Sequence, residues 1–282
     1  MADLITADTE LLATKQDLII AMVQRELKYQ AKVLPYVTDL SMFAVKGAKS
    51  ISYPKFDSFT VVDRASGVAG DASKLTASVD LLALDKNAYV AWLIDSSDEI
   101  QSTVDVQAEF IKRATAAHAR YVDEQLLAAI EAAAGYTQGV ATVVTRDIIL
   151  DMREALLSFD ALRENLVLFV PPVQEKAMLK IDEFTRADAY GSSNIPAGVI
   201  GQVFGIPVVI HNGMTSTDAF MWDKNGAAIG FQKAPAYSEQ GANEYGAMSK
   251  RAALDQLFGV TGLQLTEKGV GAGNSPLIAS MN

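Results

Sequence analysis

No cysteine occurs in this chain of 282 residues. Its absence excludes disulfide staples, thiolate catalysis and cysteine-based zinc sites, and it fits a reducing compartment. Histidine is scarce as well, with only His118 and His211. Two are too few for a histidine-rich metal centre, and neither has an obvious nucleophile partner, so both read as structural. No run of eighteen uninterrupted apolar residues is available to span a bilayer. The acidic segment 1–10 lacks the basic start and apolar run of a secretion signal, so a soluble protein that is neither secreted nor membrane-bound is expected. A basic stripe is missing too: the net charge is -10, and an average surface of that sign repels a phosphate backbone. Lys46 with Lys49, and Lys250 with Arg251, read as solvated pairs rather than phosphate contacts.

The most informative absence is local. Residues 71–134 contain no glycine or proline, whereas residues 35–70 hold two prolines and three glycines. Uninterrupted chain of that length implies a long strand feeding a very long helix, although helices average only about 11 residues and strands about 5. Elements this long suit a subunit that must span distance. In the strand half Leu75, Ala77, Val79 and Leu81 alternate with Thr76, Ser78 and Asp80, the period of two of a half-buried strand. Residues 89–94 are apolar on both faces and read as buried on both sides. Ser96 and Glu99 have the form of a capping box, with Asp98 and Glu99 placed to favour a helix N-terminus, so a helix is expected over 97–134 and ended by Gly135. Its apolar stripe runs through Ile100, Val104, Ile111, Val122, Leu126 and Ile130, with Ala114 and Ala119 between. At about 1.5 Å per residue such a rod is roughly 57 Å long. The stripe reads as core packing and not as a coiled-coil seam, because Ala and Thr break the heptad.

Around this unit, half of the residues are hydrophobic and 21% are charged, enough for a sizeable core and about two domains. Residues 8–32 read as a polar amphipathic helix stopped by Pro35. Residues 58–62 and 75–84 read as the strands of a long hairpin whose small, polar tip spans 63–71. An isolated hairpin is marginal in water, so one this long should rest on another surface. Beyond Gly135 short helices and strands alternate, the pattern of a mixed α/β domain. Thr145 caps a helix over 146–159, residues 166–170 form a buried strand, and Pro171 and Pro172 open a helix to about residue 183. A loop follows over 185–197, then strand-like pieces at 199–211 with a bend at Gly205 and Pro207, at 219–222, at 227–232 and at 254–266.

Catalytic chemistry is not visible. The glycines at 198, 201 and 205, and at 269, 271 and 273, lack the spacing and following helix of a phosphate loop. Asp182 and Glu183 are adjacent and do not face one another as an acid/base couple.

The succession of parts resembles the major capsid proteins of tailed double-stranded DNA bacteriophages, the Hong Kong 97-type fold. The likeness is carried by 63–74 followed by 75–94, by 97–134, by 166–172 with its following helix, and by Gly201, Gln202, Val203, Phe204, Gly205, Ile206, Pro207, Val208 and Val209. What it implies is an α+β chain with an N-terminal arm (1–34), a peripheral domain (35–56, 85–138 and 232–262) with its spine helix, an extended loop (57–84), and an axial domain (139–231 and 263–282). Its implied role is structural, a shell of hexamers and pentamers enclosing double-stranded DNA without sequence-specific binding, in the virion after assembly in the host cytoplasm. The implied partners are the chain itself, a portal, and scaffolding or decoration proteins; no cofactor, metal or catalytic residue is implied. Intersubunit contact falls on the extended loop at Arg64, Ser66, Gly67, Gly70 and Lys74. No long scaffold-like segment precedes the arm, so a separate scaffolding protein or a trimmed form is implied. The residue set for covalent crosslinking is not matched, Lys74 being the one lysine in place. A bacterial nanocompartment shell of the encapsulin kind shares the fold and is the alternative; a soluble α/β enzyme would need a convergent polar cluster between the central sheet and its helices.

Overall fold

A computed structural model describes residues 31–56, 63, 77–95, 106–138, 143–181, 199–214, 218–240, 249–263 and 275–281. In chain order the elements are β1 (Thr38–Asp39), β2 (Ser50–Phe56), β3 (Ala77–Ala83), β4 (Lys86–Asp95), α1 (Val106–Ala132), β5 (Ala134–Gln138), α2 (Arg146–Ser158), β6 (Leu166–Val170), α3 (Glu175–Met178), β7 (Val199–Val203), β8 (Ile206–Ile210), β9 (Phe220–Asp223), β10 (Ala227–Gln240), β11 (Ser249–Gly262) and β12 (Ser275–Met281). Three sheets result: four strands in the order β1-β10-β11-β4, six in the order β5-β12-β9-β6-β8-β7, and the two-stranded ribbon β2-β3. The fold class is α+β, as expected.

The six-stranded sheet is sandwiched. β6 is buried along its whole length, and its alternation divides it between two cores. Leu166, Leu168 and Val170 pack with Ile149, Met152 and Leu156 of α2, while Val167 and Phe169 face Val122, Leu126 and Ile130 of α1 together with Trp222 and Phe258. The helix α2 starts where its cap requires, the Thr145 hydroxyl accepting from the Ile148 amide. The motif at 201–209 is a tight hairpin: β7 and β8 run antiparallel with Val203 opposite Ile206, joined by Phe204 (φ 53) and Gly205 (φ 80). Two successive positive φ values define the turn whose twist matches a two-residue hairpin.

The long helix holds its stripe: Ala114, Ala119, Val122, Leu126 and Ile130 are all buried, and Arg113 pairs with Glu109 on the exposed side at 3.0 Å. Its described portion of 27 residues makes a rod of about 40 Å; residues 96–105, with the expected capping box, lie outside the described residues.

Several expectations need correction. Gly135 does not end the helix, which stops at Ala132, and Gly135 lies inside β5, whose parallel pairing with β12 draws the chain straight into the six-stranded sheet. Residues 89–94 are not buried on both sides, because α1 packs Ile111 and Ala114 on the face that carries Val90 and Trp92 and leaves Tyr89 and Leu93 on the other face exposed. The helix after Pro172 is a single turn, Glu175–Met178, preceded by a 3-10 turn. In β3 the alternation is present but in the opposite phase: Leu82 and Leu84 point inward, and Val79 and Leu81 outward. The described partner of β3 is β2, earlier in the chain than the expected 58–62, which lies outside the described residues. Strand pairing also departs from the expected domain split, since β5 joins the six-stranded sheet and residues 227–231 of β10 join the four-stranded one. β12 had no counterpart in the sequence reading. The segments 8–30 and 185–197 and the glycines at 269, 271 and 273 lie outside the described residues.

Candidate subunit-contact surface

The ribbon β2-β3 is seated on the four-stranded sheet at a pair of glycines. Gly230 and Gly259 are directly opposed in the β10-β11 ladder. A Cβ at Gly259 would sit 2.0 Å from the Ala83 carbonyl oxygen, and one at Gly230 would sit 2.7 Å from the Ile51 Cδ1. Two missing side chains thus make the saddle that lets the ribbon approach the sheet. Ile51, Leu82 and Leu84 fill it against Ala228 and Leu263. Tyr53, paired across the ribbon with Asp80, is held protonated: burial, then the Asp80 charge, push its hydroxyl up to about 12, against an opposing pull from Thr261. A phenol in that state is an anchor and not an acid.

The inner face of the ribbon is therefore satisfied within the subunit, while its outer face carries Val79 and Leu81, 60% and 61% exposed. Arg64, Ser66, Gly67, Gly70 and Lys74 fall in sequence between β2 and β3 and lie outside the described residues. The glycine saddle was not singled out from the sequence. The signal was there, since an isolated glycine inside a strand pattern marks a close backbone approach, and both interrupt apolar runs (Ala227–Gly230 and Leu257–Gly259).

A second set of side chains joins the N-terminal segment, the long helix and the six-stranded sheet. Asp123 of α1 accepts from the Lys32 amide (3.0 Å) and the Val33 amide (3.3 Å), and lies 2.9 Å from His211 Nε2 at the end of β8. The Gly213 amide donates to His211 Nδ1 (3.0 Å), so Nε2 carries the proton given to Asp123. The Trp222 indole adds a bond to the Tyr36 carbonyl (2.9 Å). Sequence reasoning did not find Asp123, because a lone acid on a long amphipathic helix is indistinguishable from its solvated neighbours until the chain folds.

A cleft beside this pair, lined by Lys32, Arg120, Asp123, Glu124 and His211, is the polar cluster an enzyme would need. Both ring nitrogens of His211 are engaged, and among the described residues lining the cleft no side chain carries a hydroxyl. Among the described residues no group of three or more His, Asp or Glu could hold a metal ion, and no helix is long and apolar enough to cross a membrane. His118 is buried at the seam between α1 and β11, where Gln256 and the Leu254 carbonyl lie nearest without completing a well-formed hydrogen bond. Burial, chiefly, holds its pKa below the ordinary 6.5.

A family model described as phage capsid protein matches residues 93–262, from near the end of β4 to the end of β11. The chain belongs to this family. It is a major capsid protein of an icosahedral phage head, and the match favours that reading over the nanocompartment shell. Solved structures agree in fold. A chain of Mycobacterium phage Che8 superposes with a TM-score of 0.71 at 17% identity, covering 90% of this chain and 91% of that one. The mature capsid of bacteriophage PhiM1 gives 0.63 at 14%, covering 88% and 85%, and a virus-like particle from Pyrococcus furiosus gives 0.62 at 9%, covering 95% and 99%. No curated protein matches the capsid protein.

Proposed function

We propose that copies of this capsid protein close into a shell of hexamers and pentamers, and that the extended loop of each lies across a neighbour through Arg64, Ser66, Gly67, Gly70 and Lys74. The observation that carries this reading is the two-sidedness of the ribbon β2-β3. One face is locked into its own subunit by Ile51, Leu82 and Leu84, and the other offers Val79 and Leu81 to whatever covers it. These two aliphatic side chains lie on the face turned away from the supporting sheet, and in a shell the nearest cover is another subunit. The six-stranded sheet with α2 and α3 serves as the axial domain, and α1 with β4, β10 and β11 as the peripheral domain. The shell encloses double-stranded DNA without reading its sequence, which suits a wall of net charge -10. It assembles in the host cytoplasm with a portal and with scaffolding or decoration proteins, binds no cofactor, and carries no catalytic residue.

Deleting residues 64–73 and closing the gap with a short glycine turn tests the reading. The expected product is a folded subunit of unchanged helix content by circular dichroism that no longer gives stable particles by electron microscopy. Normal, heat-stable particles from the deletion variant would refute the intersubunit role.

A further inference from the structure

The tightest cluster of exposed large apolar residues along the described chain is not on the ribbon. It is the loop between β1 and β2, where Met42, Phe43 and Val45 are 82%, 59% and 68% exposed. Exposed apolar residues scattered singly need no explanation, but three within four positions form a patch. Nor is this a slack loop. The Asp39 carboxylate accepts from the Ser41 amide (2.9 Å) and from its hydroxyl, and the Ser41 hydroxyl in turn accepts from the Phe231 amide (2.9 Å). The Gln232 side-chain Nε2 donates to the Val45 carbonyl (2.9 Å) and the Ala48 carbonyl (2.7 Å). Gly47 closes the turn at φ +92, a conformation that L side chains resist. Inward, Leu40 and Ala44 pack on the ribbon root. The chain thus fixes this loop from beneath by its polar groups and turns its large apolar side chains out. A preformed patch loses little freedom when it is covered, which favours a binding role.

Charge indicates what covers it. Lys46 and Lys49 are both exposed and give the patch a positive rim on a molecule of net charge -10. A basic rim seeks an acidic partner, and in a DNA-free shell of identical subunits, each of net charge -10, the acidic surface on offer is that of another copy. We propose that Met42, Phe43 and Val45, rimmed by Lys46 and Lys49, form a subunit contact separate from the extended loop, engaging an acidic surface on a second copy of this chain. The inference rests on the shell reading above.

The lack of cysteine gives a direct test, because Phe43→Cys introduces a unique thiol. Free subunits and DNA-free particles of this variant are treated with N-ethylmaleimide and analysed by mass spectrometry. Labelling is expected in the free subunit and lost in the particle. Equal labelling in both overturns the proposal while leaving the shell reading intact. Protection seen only in DNA-filled particles overturns it in favour of a nucleic-acid contact. Failure of the wild-type chain to form particles under any assembly condition overturns the shell reading, and this inference with it. Should Phe43→Cys not fold, Met42→Cys carries the same measurement. Independently, Lys46→Glu with Lys49→Glu should lower particle yield with an unchanged circular dichroism spectrum; unchanged yield overturns the charge argument.

Discussion

Replacing Gly259 by alanine adds one carbon where the structure has no room for it. The new Cβ would lie 2.0 Å from the Ala83 carbonyl oxygen and 2.8 Å from the Leu82 Cδ2. The leucine tip can swing aside, but the carbonyl belongs to the backbone of β3, so the ribbon must lift from the sheet. Overpacking of this kind costs about 1–3 kcal/mol, set against a gain of about 0.4–1 kcal/mol from a stiffer unfolded chain. The net loss is then about 1–2 kcal/mol, and at roughly 2–4 °C per kcal/mol for a large domain the melting temperature should fall by about 2–8 °C.

A control separates the geometry from the lost stability. Gly205 has open space around its Cβ position but a φ of +80, so Gly205→Ala should cost a similar 1–2 kcal/mol through strain alone, far from the ribbon root. Thermal unfolding and particle counting on both variants decide the matter. Both variants should melt earlier, and only Gly259→Ala should lose particles in excess of its stability loss. Gly259→Ala that melts and assembles like wild type would refute the close approach. Equal particle loss in both variants would show that stability, and not the aim of the ribbon, limits assembly.

The spine should not tolerate Val122→Pro: the residue is fully buried and proline inside a helix costs about 3 kcal/mol or more, so folded yield and particles should both collapse, as monitored by circular dichroism and electron microscopy. Asp123→Ala strands the Lys32 and Val33 amides and the His211 ring, and urea denaturation should show a loss of about 2 kcal/mol or more; no change would mean the junction is not held there. His118 sets a pH dependence: its folded pKa is below 6.5, so the unfolded chain takes up a proton first on acidification, and the stability present above pH 6.5 is lost as pH falls from 6.5 through the folded value. His118→Gln should flatten that part of the stability profile relative to wild type, and an unchanged profile would mean that His118 does not carry it.

The elements that were legible from sequence are those whose signal is repeated along the chain. The stripe from Ala114 to Ile130 recurs over many turns, and the wholly apolar run 166–170 admits only a buried strand. The Thr145 cap is a local chemical statement that the fold has no reason to override. What was misread turned on a single contact with something distant. The phase of β3 is decided by which face meets Gly230 and Gly259, some 150 residues later, and both Leu81 and Leu82 satisfy an apolar pattern. The exposure of Tyr89 and Leu93 follows from α1 covering only the opposite face of β4, which composition does not reveal. Helix α1 ends at Ala132 because β12 captures the chain at Ala134, a partner at the other end of the sequence.

The same distinction bears on how the subunit works. Contacts that repeat along an element hold the cores on either side of β6 and leave α1 and the six-stranded sheet as one unit. Contacts that depend on one atom, the Gly259 saddle and the Asp123 acceptor, sit where the ribbon and the N-terminal segment join that unit. On the shell reading proposed above, the segment between β2 and β3 would be placed differently at hexamer and pentamer positions, and a joint made of two glycines and a few aliphatic side chains changes angle at less cost than a core does. Variation among subunits should therefore gather at residues 50–56 and 77–83 and at 31–37, while β6, β8 and β9 superpose. A reconstruction of the particle with each independent subunit built separately is the measurement. Rigid ribbon roots together with a distorted β6 sheet would refute the division.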